Sequence, residues 1–599
     1  MKIQIVLFKK NISWDDEWIY LGKSFEKLSH LEKKISGNRI KINKYFSSVF
    51  ESEISIFLDW IDKKSKKTND SLFWWMNELS GKNNFATDFF LYICQIKSLK
   101  KYLEGYDKNE IFLIVVEDYY LLKALKENLH EKDIIFKNNL NLRNIINRIL
   151  HFRKIIFSFA ISIIENLSNY LSANITKTKL EKPKGDIYLI HAASNFKSLL
   201  KNKNIVLRFF PKLDEFLDKK NKNYYFLVWS FPFLKKKIQI FKKLRLNKTF
   251  VPEDWLTLKD YFLAYKNFFN TKNELQDNVG YKNFNINSLL EREKKLYLEK
   301  IHYFIRFWTY SPSINKWGSE INSLTIIDHY ENMIYERALI SAAKKLNIRT
   351  KIIGYHHTLT SREFTAWHST EAEWKSRFKP NFVLSFGTIS SNLLKKQGVP
   401  SNKILEGPAL RFEKFLKKKL ILNKNEKNIL VPLSQIRDAS LELIVKIISL
   451  SKELRNTDYK FIIKPHPNVD IKKITRNLGY STLPSNIEIS DNEMETLLDK
   501  SLFTISMATG AAYDAVLSGS IVLTLESELS LFDNYLDIFK KDFDKYVRKY
   551  DVSEIKFLLL NFVENKKTVE EYKSNFYNLR DTMLKGMNKP EDKYLTKFL

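Results

Sequence analysis

The chain has 599 residues, more than one ordinary core takes in, so two or three domains are expected, and 44% apolar residues suffice to fold them. Lys and Arg outnumber Asp and Glu by 99 to 69, yet the lysines are scattered among abundant Asn and Ile, the spread an AT-rich coding sequence produces. No zinc-finger spacing, RNP pattern or Arg-rich tract occurs, so no nucleic-acid partner is expected, and the single Cys94 excludes an internal disulfide framework and points to a reducing compartment.

The first residues, MKIQIVLFKKN, hold too short an apolar run for a signal peptide, and Lys2 to Phe8 reads as an edge or first strand. Trp14 to Tyr106 reads as mainly helical, with Trp60, Trp74 and Trp75 in its core. Ile111 to Leu129 then gives a buried strand that ends at Glu117 and Asp118 and runs into a helix. A helix N-terminus favours acids for electrostatic reasons alone, so the pair has a structural explanation beside a catalytic one.

From Asn139 to Lys184 the chain is basic, helical and locally apolar. No apolar run reaches the roughly 18 to 20 residues that cross a bilayer. The nearest is Ile155 to Ile164, preceded by Arg148, Arg153 and Lys154, which suits a helix lying in an anionic membrane surface; a buried core helix explains it equally. The polar stretch Thr176 to Asp186 reads as a linker or exposed loop. Strands follow at Ile187 to His191 and Tyr225 to Ser230, the second before Pro232. Asp254 to Tyr310 is an aromatic, mostly helical insertion without recognisable chemistry.

Leu324 to Ile327 as a strand, Glu331 to Leu346 as an amphipathic helix and Lys351 to Tyr355 as a strand make a βαβ unit. Its acidic strand end, Asp328 to Glu331, and its polar one, Gly354 to Thr358, fall on one rim. His356, His357 and His368 lack carboxylate or Cys spacing, so no metal site is expected. A strand at Asn381 to Phe386 ends at Gly387, and the segment Lys403 to Phe415 carries Gly407 and Arg411. The lysine-rich stretch Lys417 to Lys427 marks the domain boundary, giving residues 1–416 and 428–599, with helical insertions at about 139–184 and 254–310 in the first.

Past the boundary, Asn428 to Leu433 reads as a strand and Leu441 to Arg455 as a helix, with Arg437 in the loop between them. Tyr459 to Lys464 is a strand that Pro465 and Pro467 force out of the sheet, presenting His466 on a stiff elbow beside Lys464. LFTISMATGAAYDAVLSGSIVLTLE reads as strand, Thr-Gly turn, helix and strand, with Gly519 as the helix stop. Both motifs lie at strand ends, where parallel sheets bind ligands and helix N-termini offer N–H groups to anions, so they point at one anion site.

On Lys464, His466, Pro467, Thr509 and Gly510 the chain resembles the C-terminal half of GT-B glycosyltransferases of bacterial surface polysaccharide synthesis. The likeness is to enzymes with a KPHP or HP motif: sialyltransferase-like, Kdo-transferase-like and the glycerophosphotransferases of teichoic acid synthesis. It covers residues 324 to 530. It implies an α/β fold of two Rossmann-like domains facing a cleft, with the five residues on the donor phosphate and Arg437 as a further partner. Gly407 and Arg411 match the segment that closes the first domain. The block from Asp328 to Thr358 resembles an acceptor-side motif in which His356 stands where Gln is usual. Glu117 and Asp118 resemble a paired acidic motif whose glycine is replaced by Tyr119.

The resemblance implies a metal-independent, inverting glycosyltransferase. It would move a sugar from a nucleotide-activated donor, CMP-linked among the candidates, to a surface glycan of the lipopolysaccharide or capsule kind, or to a lipid-linked glycan. The donor is a substrate, and no cofactor is implied. Inversion needs a base on the acceptor side; Glu331 is favoured and Asp118 second, with Glu117, Asp328 and His357 also placed by strand-end position. The expected place is the cytoplasm, peripheral at the inner face of an anionic membrane through Arg148 to Ile164. The alternatives are a non-catalytic nucleotide-binding or scaffold protein of the same assembly and a charge-driven nucleic-acid binder.

Overall fold

The computed structural model describes residues 2–598 apart from 69–70, 106–110, 130–133, 138–139, 178–181, 193–203, 229–236, 271–278, 422–423, 468, 481 and 532–533. Part of the stretch Thr176 to Asp186, together with Ser230 and Pro232, therefore lies outside the described residues.

Strands in parallel sheets covered on both faces must be apolar along their length rather than alternating. The sequence supplies this: Ile326, Ile327, Ile429, Leu430, Val431, Phe461, Ile463 and Ile521 are all fully buried. They build two large parallel sheets. The first has seven strands, in spatial order Ile404–Glu406, Phe382–Ser385, Arg349–Tyr355, Ile321–Asp328, Gly185–Ala192, Asn223–Val228 and Thr249–Phe250. The second has six: Ile487–Ile489, Lys460–Lys464, Asn425–Pro432, Ser501–Ser506, Ile521–Leu525 and Lys549–Tyr550. Numbered from its own first strand, the second runs 3-2-1-4-5-6 and the first 7-6-5-4-1-2-3. Both are doubly wound Rossmann orders, so this is the α/β architecture of two Rossmann-like units that GT-B denotes. In such sheets the ligand crevice opens where the order reverses, between the first and fourth strands. Those strands are Gly185–Ala192 with Ile321–Asp328 in one sheet, and Asn425–Pro432 with Ser501–Ser506 in the other.

That topology corrects one expectation. The strand before His466 and the strand before Thr509 are not neighbours, because Asn425–Pro432 lies between them. The crevice belongs to the loop after Pro432 and the turn after Ser506, with His466 one strand away.

A third, four-stranded parallel sheet is formed by the N-terminal residues, in order Trp18–Leu21, Ile111–Val116, Lys2–Leu7 and Ile134–Phe136. Lys2–Leu7 is interior rather than at an edge, because Ile3 and Ile5 are fully buried between strands on both sides. Trp18–Leu21, in a stretch expected to be helical, is the edge strand. This unit reaches the six-stranded one: the Phe25 amide donates to Asp438 Oδ1 at 2.9 Å, Glu26 pairs with Arg437 at 2.6 Å, and Glu528 takes Arg39 together with Lys41 at 2.9 Å. The cleft therefore has three walls.

The chain end returns to the seven-stranded side, where the Asn588 amide donates to Phe386 O and the Ala409 amide to Asn588 O, each at 2.9 Å. Gly387, at φ +138°, permits that crossing, since a Cβ there would lie 2.2 Å from Gly586 O. The 37-residue helix Leu140–Thr176 is long and apolar enough, by length and composition, to cross a bilayer. The sequence concealed this because Ser and Asn interrupt the apolar runs; among them Ser158, Ser162 and Asn166 fall on one buried helical face.

Candidate active site

After Ile321–Asp328 the chain does not enter its helix at once. The helix is Ile334–Lys344, and between them Asn332 adopts φ +61°. Glu331 was expected to begin the helix, but that task falls to Glu336, whose carboxylate accepts from the Glu331 amide at 2.8 Å and the Met333 amide at 2.9 Å. The Glu331 side chain is thereby free to turn outward, and it accepts from His357 Nε2 at 3.0 Å. His357 follows the neighbouring strand Arg349–Tyr355 and is sandwiched by Phe209, with ring centroids 3.9 Å apart.

A buried polar network holds this turn. Asn332 Oδ1 accepts from Lys379 at 2.9 Å, Tyr330 at 3.1 Å and Arg337 at 3.2 Å. Arg337, Lys82 and Lys379 converge in turn on the buried Glu373, at 2.7, 2.6 and 3.6 Å. Buried charges persist when paired in this way, and here they fix the backbone from which Glu331 projects.

Burial opposes the charge on Glu331, but the His357 hydrogen bond and the nearby His357, His329 and Arg411 prevail and hold its carboxyl at about 2. Burial keeps His357 below its usual range, with Glu331 opposing. The pair is an ionised Glu331 and a neutral His357 donating Nε2–H. Burial and then His191 push His329 down to about 4, and its Nε2 lies 3.2 Å from the Tyr335 hydroxyl.

Two arginines of the first half, Arg411 and Arg208, act electrostatically on this rim. Arg208 is exposed and precedes the Phe209 that stacks on His357; its guanidinium lies 5.4 Å from the Phe209 ring centroid and has, among the described residues, no hydrogen-bond or ion-pair partner. Its charge is disfavoured by surrounding protein and then by Arg411, and favoured by Asp514 and Glu331. Arg411 reaches Asp514, on the helix Ala511–Leu517, at 3.8 Å. His466 is lowered by burial and then by the charge of Arg208. Lys464 donates to Asp491 O at 3.1 Å, and Pro467 is exposed beyond it. Ahead of Thr509 and Gly510 the left-handed residue is Ala508, at φ +50°, its carbonyl held by Ser434 Oγ at 2.6 Å; Gly510 itself has an ordinary φ of −67°. A strained non-glycine turn at a switch point is the kind of feature that clusters at functional sites.

Between the three walls lies a cavity of about 560 Å³, within the ordinary range for small-molecule sites. Its lining includes Asn83, Asn84, Thr87, Gln435, Ser527 and Ser530 beside Phe57, Phe85, Phe89 and Phe90, with Glu331 at one side. Amides, hydroxyls and aromatic faces together suit a carbohydrate. Arg437 lines it too, as the first residue of the helix Arg437–Glu453 rather than in a loop.

Other residues singled out in the sequence do not gather here. Asp118 caps the helix Tyr119–Asn128, accepting from the Tyr120 and Leu121 amides at 2.8 and 3.0 Å, and also takes Tyr92 OH at 2.6 Å and Arg292 at 3.2 Å. Glu117 accepts from the Lys23 and Ser24 amides and Tyr20 OH. Gly407 packs where a Cβ would meet Leu384 at 2.5 Å. His356 is core, bonded to Ser390 at 2.6 Å, and His368 meets Arg362 O at 2.8 Å. Among the described residues, His191, Asp328 and His329 bring ligand-type atoms within 4.8 Å of one another; a 2.6 Å hydrogen bond between His191 and the buried Asp328 accounts for that pair without an ion. Sequence reasoning missed Arg208, Phe209 and His329. Nothing in the stretch NIVLRFFPKLD marks it as cleft-facing.

No family model and no curated protein matches the chain. Solved structures that it resembles include the glycotransferase of kitacinnamycin, at 10% identity and TM-score 0.34 over 67% of this chain and 96% of that one. Another is UDP-GlcNAc 2-epimerase from Neisseria meningitidis bound to UDP-GlcNAc, at 13% and 0.35 over 67% and 100%. A third is Acinetobacter baumannii MurG, at 10% and 0.35 over 69% and 98%. Likenesses this distant carry no inference about activity, and the fold class rests on the strand orders above.

Proposed function

We propose that the chain is a glycosyltransferase that moves a sugar from a nucleotide-activated donor to a surface glycan or lipid-linked glycan at the cytoplasmic face of a membrane. The observation that carries this reading is an ionised Glu331 lining a polar cavity at the switch-point rim of the first sheet, close enough to Arg411 and Arg208 to feel their charge. The cations and the His466 N–H stabilise the phosphate as it departs, without requiring a metal. The acceptor occupies the cavity of about 560 Å³, its hydroxyl giving its proton to Glu331 as the new bond forms. One base on the acceptor side and phosphate ligands opposite support direct displacement, which inverts the anomeric centre. Arg411 is among the charges that depress Glu331. An anionic donor neutralises it, so donor binding raises the basicity of Glu331 when it is needed.

A nucleotide panel in thermal melts tests the reading, because a ligand at 100 times its Kd adds about 2.7 kcal/mol to the native state. One class of nucleotide is expected to raise the Tm; a flat response to all of them overturns the proposal. His466→Ala is expected to weaken the responding nucleotide at least roughly tenfold, the worth of one hydrogen bond to a charged group.

The charge state of Glu331 predicts a pH profile. With its carboxyl at about 2, the base form persists throughout the working range, and loss of that form does not set the acid limb of kcat/KM above about pH 4. His357→Ala removes the strongest contribution that lowers the carboxyl and leaves burial, which raises it. The acid limb of the variant is expected to move to higher pH, and an unmoved limb in active protein would show that His357 does not tune Glu331.

A further inference from the structure

The helix Leu140–Thr176 packs with its polarity inverted. Its inner face is polar: Ser158, Ser162, Asn166, Ser172 and Thr176 are buried, with Ser158 bonded to His302 at 2.9 Å and Ser162 to Tyr265 at 2.7 Å. Its outer face carries Ile149, Phe152, Ile156, Phe157, Ile164 and Ile175, each between 52% and 68% exposed. A soluble helix turns its apolar stripe inward, and contiguous exposed apolar surface of this kind marks an interaction site. The neighbouring helix Leu258–Asn270, joined to it through Tyr265, exposes Leu258 and Phe262.

We infer that this face is a membrane-docking surface that lies in the plane of an anionic bilayer, embedding its Ile and Phe side chains below the phosphate level. Charge selects lipid over a second copy of the chain. The helix holds a single acid, Glu165, while Arg148, Arg153 and Lys154 are exposed beside the apolar stripe and Lys259 and Lys266 on the adjacent helix. Two such basic faces repel each other, whereas anionic headgroups complement them. The inner-face hydrogen bonds decide between lying and crossing. A spanning helix would have to leave Ser162, Asn166 and Tyr265 unsatisfied in hydrocarbon, which costs several kcal/mol per group. From Ile149 to Ile175 the stripe runs about 39 Å at 1.5 Å per residue, room for a long shallow contact. The surface is independent of the chemistry in the cleft.

The test is co-sedimentation of the full chain with phosphatidylglycerol–phosphatidylcholine vesicles and with phosphatidylcholine alone. Binding is expected to the anionic vesicles and to weaken with salt. Phe152→Glu with Ile156→Glu should cut it at least tenfold with the Tm unchanged, since both side chains face solvent. Arg148→Gln with Arg153→Gln should lower affinity for the anionic vesicles about tenfold or more. Ile149→Cys and Ile175→Cys, labelled specifically because Cys94 is buried, should report the same shallow depth to lipid-borne quenchers. Vesicle binding that survives the two Glu substitutions overturns the proposal. So does a dimer in light scattering that those substitutions abolish without any vesicle binding, and so do labels at different depths.

Discussion

Replacing Glu331 with Gln is expected to lower turnover roughly a thousandfold at saturating donor while donor affinity and Tm stay close to those of the parent, the loss typical of a removed general base. The structural alternative was that Glu331 caps its helix. Glu336 holds that role, since its carboxylate takes the Glu331 and Met333 amides. Glu331 spends one carboxylate oxygen on His357, keeps its side chain 33% exposed and lines the cavity. Gln preserves size and hydrogen bonding to His357 but cannot take a proton. Asp118→Asn is the paired control. Asp118 caps one helix and binds Arg292 and Tyr92, so its replacement should cost stability, about 1 kcal/mol, and little rate. Steady-state rates of both variants, with donor Kd by calorimetry, separate the two. A near-normal rate for Glu331→Gln removes this base from the mechanism, and a thousandfold loss in Asp118→Asn moves it to the other acid.

What the sequence made legible was what local chemistry determines. Continuous apolar runs gave the inner strands of both large sheets but not the short edge strands Thr249–Phe250, Ile404–Glu406, Ile487–Ile489 and Lys549–Tyr550, and Pro465 and Pro467 gave the elbow at His466, because the pyrrolidine ring acts on its own backbone. The rim carrying Glu331 and His357 followed from one βαβ unit. Strand order did not follow, since which strand lies beside Lys460–Lys464 depends on crossovers far apart in the chain; the two motifs of the second sheet pointed at one anion site, yet Asn425–Pro432 separates their strands. The third sheet was hidden for the same reason, as Trp18–Leu21 pairs with residues nearly a hundred positions later. Arg208 was illegible because a lone Arg acquires meaning only from what faces it. In the long helix the apolar run fitted a membrane-surface helix and a buried core helix equally, because which face looks inward depends on what packs against it.

Arg208→Ala is expected to weaken the nucleotide donor by ten- to a hundredfold, the worth of a charge-assisted hydrogen bond to phosphate, about 1.5 to 3 kcal/mol. The same change should leave the Tm unaltered or slightly raised. Arg208 has no hydrogen-bond or ion-pair partner among the described residues, and Arg411 nearby disfavours its charge. An arginine kept for packing would behave oppositely, costing stability on removal and leaving ligand affinity alone. A residue whose loss harms binding and spares the fold is the signature of strain retained for function. His466 supplies an internal check. Arg208 contributes to the lowering of its imidazole, so in Arg208→Ala the ring should titrate at higher pH by NMR. If both residues contact one phosphate, the double variant with His466→Ala should lose less affinity than the two single losses combined. Unchanged donor affinity in Arg208→Ala, or full additivity with His466→Ala, would place the phosphate elsewhere in the cleft.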